Sequence, residues 1–160
     1  MKKLLLITLL SVLCIACSIE TEVEDVSTSQ PVVEPIKAAT MDGEVGGNAW
    51  TFIKGRVKAS SFSQGKFDFD FWDEDFENEC DNFTFGSAKK LIGMLPLSVG
   101  TIELNMENNI TFFHDNQNNI ATSGRLVIES IENDIVRGKL IAKFDESNYT
   151  NGEFELVLCQ

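Results

Sequence analysis

The segment KFDFDFWDEDFENECDNF, from Lys66 to Phe83, holds the greatest concentration of side chains that can bind or react. It contains eight carboxylates, six aromatic rings and one cysteine within eighteen residues. Carboxylate oxygens are the ligands of Ca²⁺, which takes roughly 6–8 oxygens. Aromatic rings beside carboxylates can also form a binding platform, and an acidic stretch after a strand can be a plain solvated turn. The composition therefore leaves three interpretations.

The periodicity of this segment changes in its middle. The odd positions are aromatic up to Phe71 and acidic from Asp73 onward. One continuous strand cannot place an aromatic row and an acidic row on the same buried face. We therefore expect a strand with its three phenylalanines in the core, a turn near Trp72–Asp75, a solvated loop over 73–79, and Cys80 at the start of the next strand.

The candidate metal ligands are Asp73, Asp75 and Glu77. In an EF-hand loop the sixth position is glycine and the last position is glutamate. A loop that starts at Asp73 has Asn78 and Thr84 at these positions, so the EF-hand register does not fit. Weak Ca²⁺ binding by the three carboxylates remains an alternative to a solvated turn, and no other cofactor is expected.

The candidate ligand-binding residues are Trp72 and Phe76, which flank the same turn. Their flat faces could stack on a sugar or a protein partner, while Asp73 or Glu74 accepts hydrogen bonds from hydroxyl groups. Most aromatic residues of a small β-domain belong to its core, and Trp50 is expected there. The aromatic platform therefore competes with a purely structural interpretation of the same rings.

The N-terminus has the features of an export signal. A basic start is followed by the apolar run Leu4–Val12, which is shorter than the roughly 20 residues that span a bilayer. The junction LCIACS resembles a bacterial lipoprotein signal, in which Cys17 after Ala16 is lipidated and becomes the mature N-terminus. Cys14 departs from that pattern, which prefers leucine there. Residues 1–16 are then the signal peptide, and a plain soluble signal is the alternative.

A tether is predicted over residues 17–40, because the polar and acidic stretch after Cys17 cannot bury enough apolar surface to fold. Its early acids, from Glu20 to Asp25, resemble the surface-export signal of Bacteroidetes-type lipoproteins. A solvated, self-repelling tether explains the same residues equally well. The folded domain is expected over 41–160.

The charge of the mature chain limits its partners. Cleavage removes Lys2 and Lys3 and no acid, so 11 of the 13 basic groups remain against 25 acidic groups, a net charge of −14. Nucleic-acid binding rests on basic groups that neutralise phosphates, so nucleic acid is excluded as a partner. The lipid on Cys17, rather than electrostatic attraction, would hold the protein at its membrane.

Alternating polar and apolar residues predict an all-β domain, an antiparallel β-sandwich or small barrel of about eight strands. The first long strand is predicted over Ala49–Ser60, with a bulge or bend at Gly55. NQNN is predicted as a turn after a short strand that begins with Asn109. Three consecutive antiparallel strands are predicted at the C-terminal end in ATSGRLVIESI, IVRGKLIAKFD and NGEFELVLC.

The order of these motifs resembles a family of small Bacteroidetes-type lipoproteins that carry one β-rich domain of unknown function. The most specific parts are the Gly-x-Leu-x-Ile strand that begins at Gly124, the strand around Gly138, and the closing NGEFELVLC. The resemblance implies the fold and an outer-membrane location on the periplasmic or cell-surface face. It implies no chemistry.

Two cysteines remain after the signal and the lipidation site are set aside. Cys80 and Cys159 in an exported chain are expected to form a disulfide, and the resemblance agrees because similar sequences keep a cysteine at both places. The alternatives are a zinc site and a catalytic thiol. Both are disfavoured, because His114 is the only histidine and a reactive thiol needs a nearby base.

The sequence therefore predicts a membrane-anchored lipoprotein that acts as a non-enzymatic binding or accessory module, with a glycan or a surface protein as partner. The motifs of serine hydrolases, phosphate-binding loops and zinc proteases do not occur in the chain. The alternatives are a cation-dependent hydrolase that uses the acidic loop 73–81 and a purely structural envelope protein. His114 is expected to be a surface residue in a turn.

Overall fold

The computed structural model describes residues 34–75, 77–81 and 89–160. The predicted signal peptide, the lipidation candidate Cys17 and the binding candidate Phe76 lie outside the described residues. The predictions made for them therefore remain predictions.

The described residues form eleven strands and no helix, which confirms the predicted all-β fold. The strands are β1 (Asp42–Val45), β2 (Asn48–Thr51), β3 (Lys54–Ala59), β4 (Phe67–Trp72), β5 (Lys90–Leu95), β6 (Gly100–Glu103), β7 (Ile110–His114), β8 (Gln117–Ala121), β9 (Ser123–Glu132), β10 (Ile135–Asp145) and β11 (Asn148–Cys159). Within these residues nothing resembles a helix able to cross a lipid bilayer.

All eleven strands belong to one curled sheet, a half-barrel with the order β6-β9-β10-β11-β3-β4-β5-β7-β8. The central strand, β11, pairs with β10 along one edge. Along its other edge it pairs with β1 at Tyr149–Asn151 and with β3, in parallel, at Val157–Cys159. The N-terminal hairpin β1–β2 therefore shares an edge of β11 with β3, whose other neighbour β4 begins the acidic segment.

The predicted long strand over Ala49–Ser60 is in fact two strands. The amide of Phe52 donates to the carbonyl of Met41, whereas the next amide, of Ile53, donates to the carbonyl of Trp72. The chain thus changes partner from β1 to β4 between two residues, which ends β2 and begins β3. This change of partner also explains part of the excess over the eight predicted strands.

Gly55 is not a bulge, because its strand pairs with β4 in an unbroken register. A Cβ atom at this position would lie 2.3 Å from the backbone oxygen of Asp70 and 2.4 Å from a side-chain carbon of Leu156. Glycine is required here because the backbone of β3 approaches its neighbours too closely for any side chain.

The predicted turn at NQNN is also wrong, because Gln117 and both following asparagines belong to β8. The turn lies one step earlier, at Asp115 and Asn116, whose φ angles are 46° and 61°. Two consecutive residues with positive φ make the tight hairpin turn that matches the twist of the flanking strands. Asn133 and Asp134 form the same kind of turn between β9 and β10, with φ angles of 53° and 59°.

The core lies on the inner face of the curled sheet. The predicted core residues Phe69, Phe71 and Trp50 are fully or almost fully buried there. The ring of Phe71 packs edge-on against Phe154, with centroids 5.3 Å apart, and against Phe52 at 6.0 Å. Because successive residues of a strand point to opposite faces, the even-numbered residues of β3, β4 and β5 lie on the outer face.

The folded unit begins at Glu34, earlier than the expected boundary at residue 41. The side-chain amide of Asn151 donates to the carbonyl of Pro35, and its oxygen accepts from the amide of Lys37. Arg125 donates to the carbonyl of Glu34. These bonds fasten residues 34–37 to β9 and β11, so the end of the predicted tether is part of the domain.

The predicted disulfide between Cys80 and Cys159 is present, with the two Cα atoms 5.6 Å apart. It joins the end of β11 to the acidic segment after β4. Cys80 itself lies in a turn and does not begin a strand, which corrects that part of the prediction. The covalent bond therefore fastens a loop, rather than a second strand, to the centre of the sheet.

Replacing both cysteines with serine should lower the free energy of unfolding by about 4 kcal/mol, because the bond closes a loop between residues 79 apart and so restricts the unfolded chain. Urea denaturation of the wild-type and double-serine chains measures the difference. The wild-type chain in reductant should match the double variant, and the double variant should not respond to reductant. A loss below about 1 kcal/mol would contradict this role of the bond.

Candidate functional site

Three neighbouring strands present a polar outer face. Cross-strand pairing aligns their residues in three rows: Lys54–Trp72–Lys90, Arg56–Asp70–Ile92 and Lys58–Asp68–Met94. In the last two rows a cation of β3 stands directly opposite a carboxylate of β4. Opposite charges at facing positions stabilise the pairing of two strands.

The central row contains a buried ion pair. The Nε atom of Arg56 lies 2.9 Å from Oδ2 of Asp70, and the two residues are only 5% and 9% exposed. A charge is removed from water at this depth only when it is paired and hydrogen-bonded. This pair is therefore the most deeply buried ion pair described on the outer face.

Arg56 also makes contacts beyond Asp70. Its Nη1 atom donates to the backbone carbonyls of Glu79 and Cys80, each at 3.1 Å. The guanidinium carbon lies 5.4 Å from the centroid of the Trp72 ring, in cation–π geometry. We call this set of contacts the Arg56 clamp. It holds the end of the acidic segment, and with it the disulfide, against the sheet.

The predicted exposed platform at Trp72 is wrong, because this residue is only 1% exposed. Trp72 is the last residue of β4, and its side chain lies beside Arg56 on the outer face instead of projecting from the turn. Burial rules out stacking on a large partner at a flat surface. The ring does, however, line one end of the groove described below.

The three candidate metal ligands are not brought together. Asp75 lies 2.9 Å from the ammonium group of Lys54, which also contacts Glu79 at 3.2 Å. Within residues 34–75, 77–81 and 89–160, histidine, cysteine and acidic side chains nowhere gather in threes as a metal ion requires. The chain's own lysine thus occupies the position next to Asp75 that a bound cation would take.

Asp73 is partly buried. Burial raises the pKa of its carboxyl group above the ordinary value of 3.8, while a hydrogen bond from its own backbone and the charge of Lys89 act in the opposite direction. The ionised form of this carboxylate is therefore destabilised by folding.

A groove of about 440 Å³ lies on the outer face, and we call it the outer groove. Its apolar lining comes from Ile92 and Met94 of β5, and the buried Trp72 of β4 lies at one end. One wall is Phe62, which belongs to the loop between β3 and β4 and is 87% exposed. The volume falls within the roughly 300–1,000 Å³ of small-molecule sites.

Charged side chains line the outer groove beside its apolar residues. They are Arg56 and Lys58 from β3, Asp68 and Asp70 from β4, and Lys90 from β5. Burial lowers the pKa of Lys90 below its ordinary value, with Arg56 adding to the effect and Asp70 opposing it. The ammonium group also lies 5.1 Å from the centroid of the Phe113 ring. The groove thus combines an apolar surface with a few charges of both signs.

The loop that carries Phe62 is itself anchored. The amide of Ser60 donates to the carbonyl of Lys66, and Gly65, with φ of 80°, supplies the left-handed residue that the turn needs. The ammonium group of Lys66 donates to the carbonyl of Glu107 in the loop between β6 and β7. The wall of the groove is therefore fastened to a second loop.

His114 is less exposed than expected for a surface turn. It ends β7, its side chain is 13% exposed, and its Nε2 atom lies 2.9 Å from the amide nitrogen of Asn119. The ring packs so closely on Gly46 that a Cβ there would lie 2.5 Å from Nδ1. His114 does not line the outer groove.

The sequence analysis did not identify the basic residues of the outer face. Lys54, Arg56 and Lys58 alternate along β3 as regularly as Asp68 and Asp70 alternate along β4. Two adjacent strands with opposite charges at alternate positions predict cross-strand ion pairs. That signal could have located the outer face, although not its depth.

Arg56→Met should lower the free energy of unfolding by about 3–5 kcal/mol, because it leaves Asp70 buried without its cation. The double variant Arg56→Met/Asp70→Leu should recover most of that loss. Arg137→Met is the matched control, since Arg137 and Glu155 form an exposed pair worth at most about 1 kcal/mol. Equal losses in the two single variants, measured by urea denaturation, would show that the Arg56 clamp does not stabilise the fold.

Asp73→Asn should raise the free energy of unfolding at pH 7 and leave it unchanged near pH 3. A carboxyl group whose pKa is raised by folding costs no stability when protonated in both states, and its cost grows as the pH rises above the unfolded value. Urea denaturation at both pH values measures this, with Asp75→Asn as the control. A stabilisation of the wild type by calcium that Asp73→Asn abolishes would instead make this loop a metal site.

Comparisons of the chain with protein-family models, with curated proteins and with solved structures found no match in any of the three. The function is therefore inferred from the residues of the site themselves.

Proposed function

We propose that this chain is a membrane-anchored lipoprotein of the outer membrane, on its periplasmic or cell-surface face, and that its β-domain is a non-enzymatic binding module. The outer groove is the binding site in this proposal. The sequence predicts a surface protein or a glycan as the partner, and the volume of the groove favours a small ligand over a flat protein surface.

The observation that carries the proposal is the outer groove itself. Small-molecule sites are concave and mostly apolar, with a small number of charged or polar groups that orient the ligand. Ile92 and Met94 supply apolar surface, and Lys58 and Asp68 supply charges. The strands that carry these residues are paired on both sides, so the site is built on a rigid support.

The hydrolase alternative has less support. It needs carboxylates of the loop 73–81 that are available to a cation or a substrate. Asp75 and Glu79 both contact Lys54, and the carbonyls of Glu79 and Cys80 are held by Arg56. These contacts give the acidic loop a structural role instead, because they fasten it beside the groove.

The proposed anchor places the groove near a membrane. Sixteen residues separate Cys17 from Glu34, where the folded unit begins. Even fully extended, a chain of that length spans at most about 55 Å. The domain would thus remain within reach of molecules that leave or enter the bilayer, and this is consistent with an apolar binding site.

The neutral apolar probe N-phenyl-1-naphthylamine should bind the mature chain, made as Cys17→Ser so that it is unlipidated, with saturable fluorescence at one site. Met94→Glu should weaken the binding by about tenfold or more, because it places a carboxylate in the apolar lining. Met106→Glu is the matched control, since Met106 is 82% exposed and lies outside the groove. Absence of saturable binding, or equal binding by both variants, would contradict the proposal.

A further inference from the structure

Two exposed apolar side chains project from separate loops of the domain. Phe62, in the loop between β3 and β4, is 87% exposed, and Met106, in the loop between β6 and β7, is 82% exposed. Among the residues that the structure describes, no other large apolar side chain is as exposed as these two. A single exposed apolar residue is ordinary, but two on adjoining loops form a candidate contact surface.

The two loops are bonded to each other. The Nζ atom of Lys66, at the end of the first loop, donates to the backbone carbonyl of Glu107 at 2.9 Å and to Oδ1 of Asn108 at 3.4 Å. Within the second loop, Oδ1 of Asn105 accepts hydrogen bonds from the amides of Glu107 and Asn108, on either side of which the chain turns. The loop that carries Met106 is therefore held in place next to the loop that carries Phe62.

These loops are electrically neutral in a strongly acidic chain. Residues 60–66 contain one charged side chain, Lys66, and residues 104–109 contain one, Glu107, whose carboxylate lies 3.9 Å from the ammonium group of Lys66. The whole sequence has 13 basic groups against 25 acidic groups. Protein partners are commonly selected by a surface of opposite charge, which these loops do not offer. Apolar side chains on neutral polar loops instead suit the interface of a zwitterionic bilayer.

The predicted tether joins the domain beside the Met106 loop. The first described residue is Glu34, and its carbonyl accepts a hydrogen bond from Arg125 at 3.0 Å. Arg125 is paired in register with Glu103, the last residue of β6, and the loop begins at the next residue. A tethered group is most concentrated near its point of attachment. Attachment at this edge therefore favours an orientation in which the two loops face the membrane.

We propose that Phe62 and Met106 enter the head-group region of a zwitterionic bilayer and so orient the anchored domain on its membrane. This rests on the anchoring part of the proposed function. Two side chains alone bury too little apolar surface for stable membrane binding, but a lipid on Cys17 keeps the loops at a high local concentration beside the bilayer. Because Phe62 is also a wall of the outer groove, the same contact places that groove beside the membrane.

Quenching by brominated lipids tests the contact. The mature chain that begins at Cys17 has one thiol outside the disulfide, so this residue can be coupled to a maleimide lipid in phosphatidylcholine vesicles with or without brominated acyl chains. Phe62→Trp and Met106→Trp report on the loops, while the natural Trp50 and Trp72 are buried and give a common background. Each new tryptophan should lose about half or more of the fluorescence that it adds, because an interfacial side chain lies roughly 5–10 Å deep, within reach of the bromine atoms.

Ile53→Trp is the matched control. Ile53 is 52% exposed, and its amide bonds to the carbonyl of Trp72, at the opposite end of β4 from the Phe62 loop. This variant should be quenched no more than the wild type. If neither loop variant, or only one, is quenched more than the control, the membrane contact is wrong while the anchor and the groove stand, and the loops would suit a protein partner instead. If mass spectrometry of the chain exported with its own signal finds no acyl chain on Cys17, the proposed anchor fails, and the inference fails with it.

Discussion

The buried pair of Arg56 and Asp70 is the interaction on which the outer face of this protein depends. Two charges only 5% and 9% exposed are stable together and costly apart. Because the same guanidinium holds the carbonyls of Glu79 and Cys80, the pair also determines where the acidic segment lies. The disulfide to Cys159 adds a covalent fastening at the same place. A segment rich in like charges is thereby kept against the sheet.

One set of strands carries both the core and the candidate site. The odd positions of β4 place Phe69 and Phe71 in the core, and the even positions place Asp70 and Trp72 on the outer face. A substitution that shifted the register by one residue would exchange these faces and destroy both at once. The core and the groove are therefore parts of one structural unit, and the packed core behind the groove keeps it rigid.

Local patterns in the sequence were enough to predict the fold class, the aromatic core of β4 and the disulfide, because alternation and cysteine number are visible in one chain. They were not enough to predict the break at Phe52–Ile53, which arises because the backbone changes partner from β1 to β4. The burial of Trp72 was missed for a similar reason. It depends on Arg56, which lies sixteen residues earlier in the chain, and a side chain that is covered by a distant residue leaves no periodic signal.

The binding site on the outer face is the central claim, and amide chemical-shift mapping tests it most directly. The isotope-labelled, unlipidated mature chain would be titrated with N-phenyl-1-naphthylamine while its backbone resonances are followed by NMR. The proposal predicts shifts concentrated in β3, β4 and β5 and in the loop that carries Phe62. Shifts concentrated in β9 and β10, or spread evenly over the domain, would show that the outer groove is not the binding site.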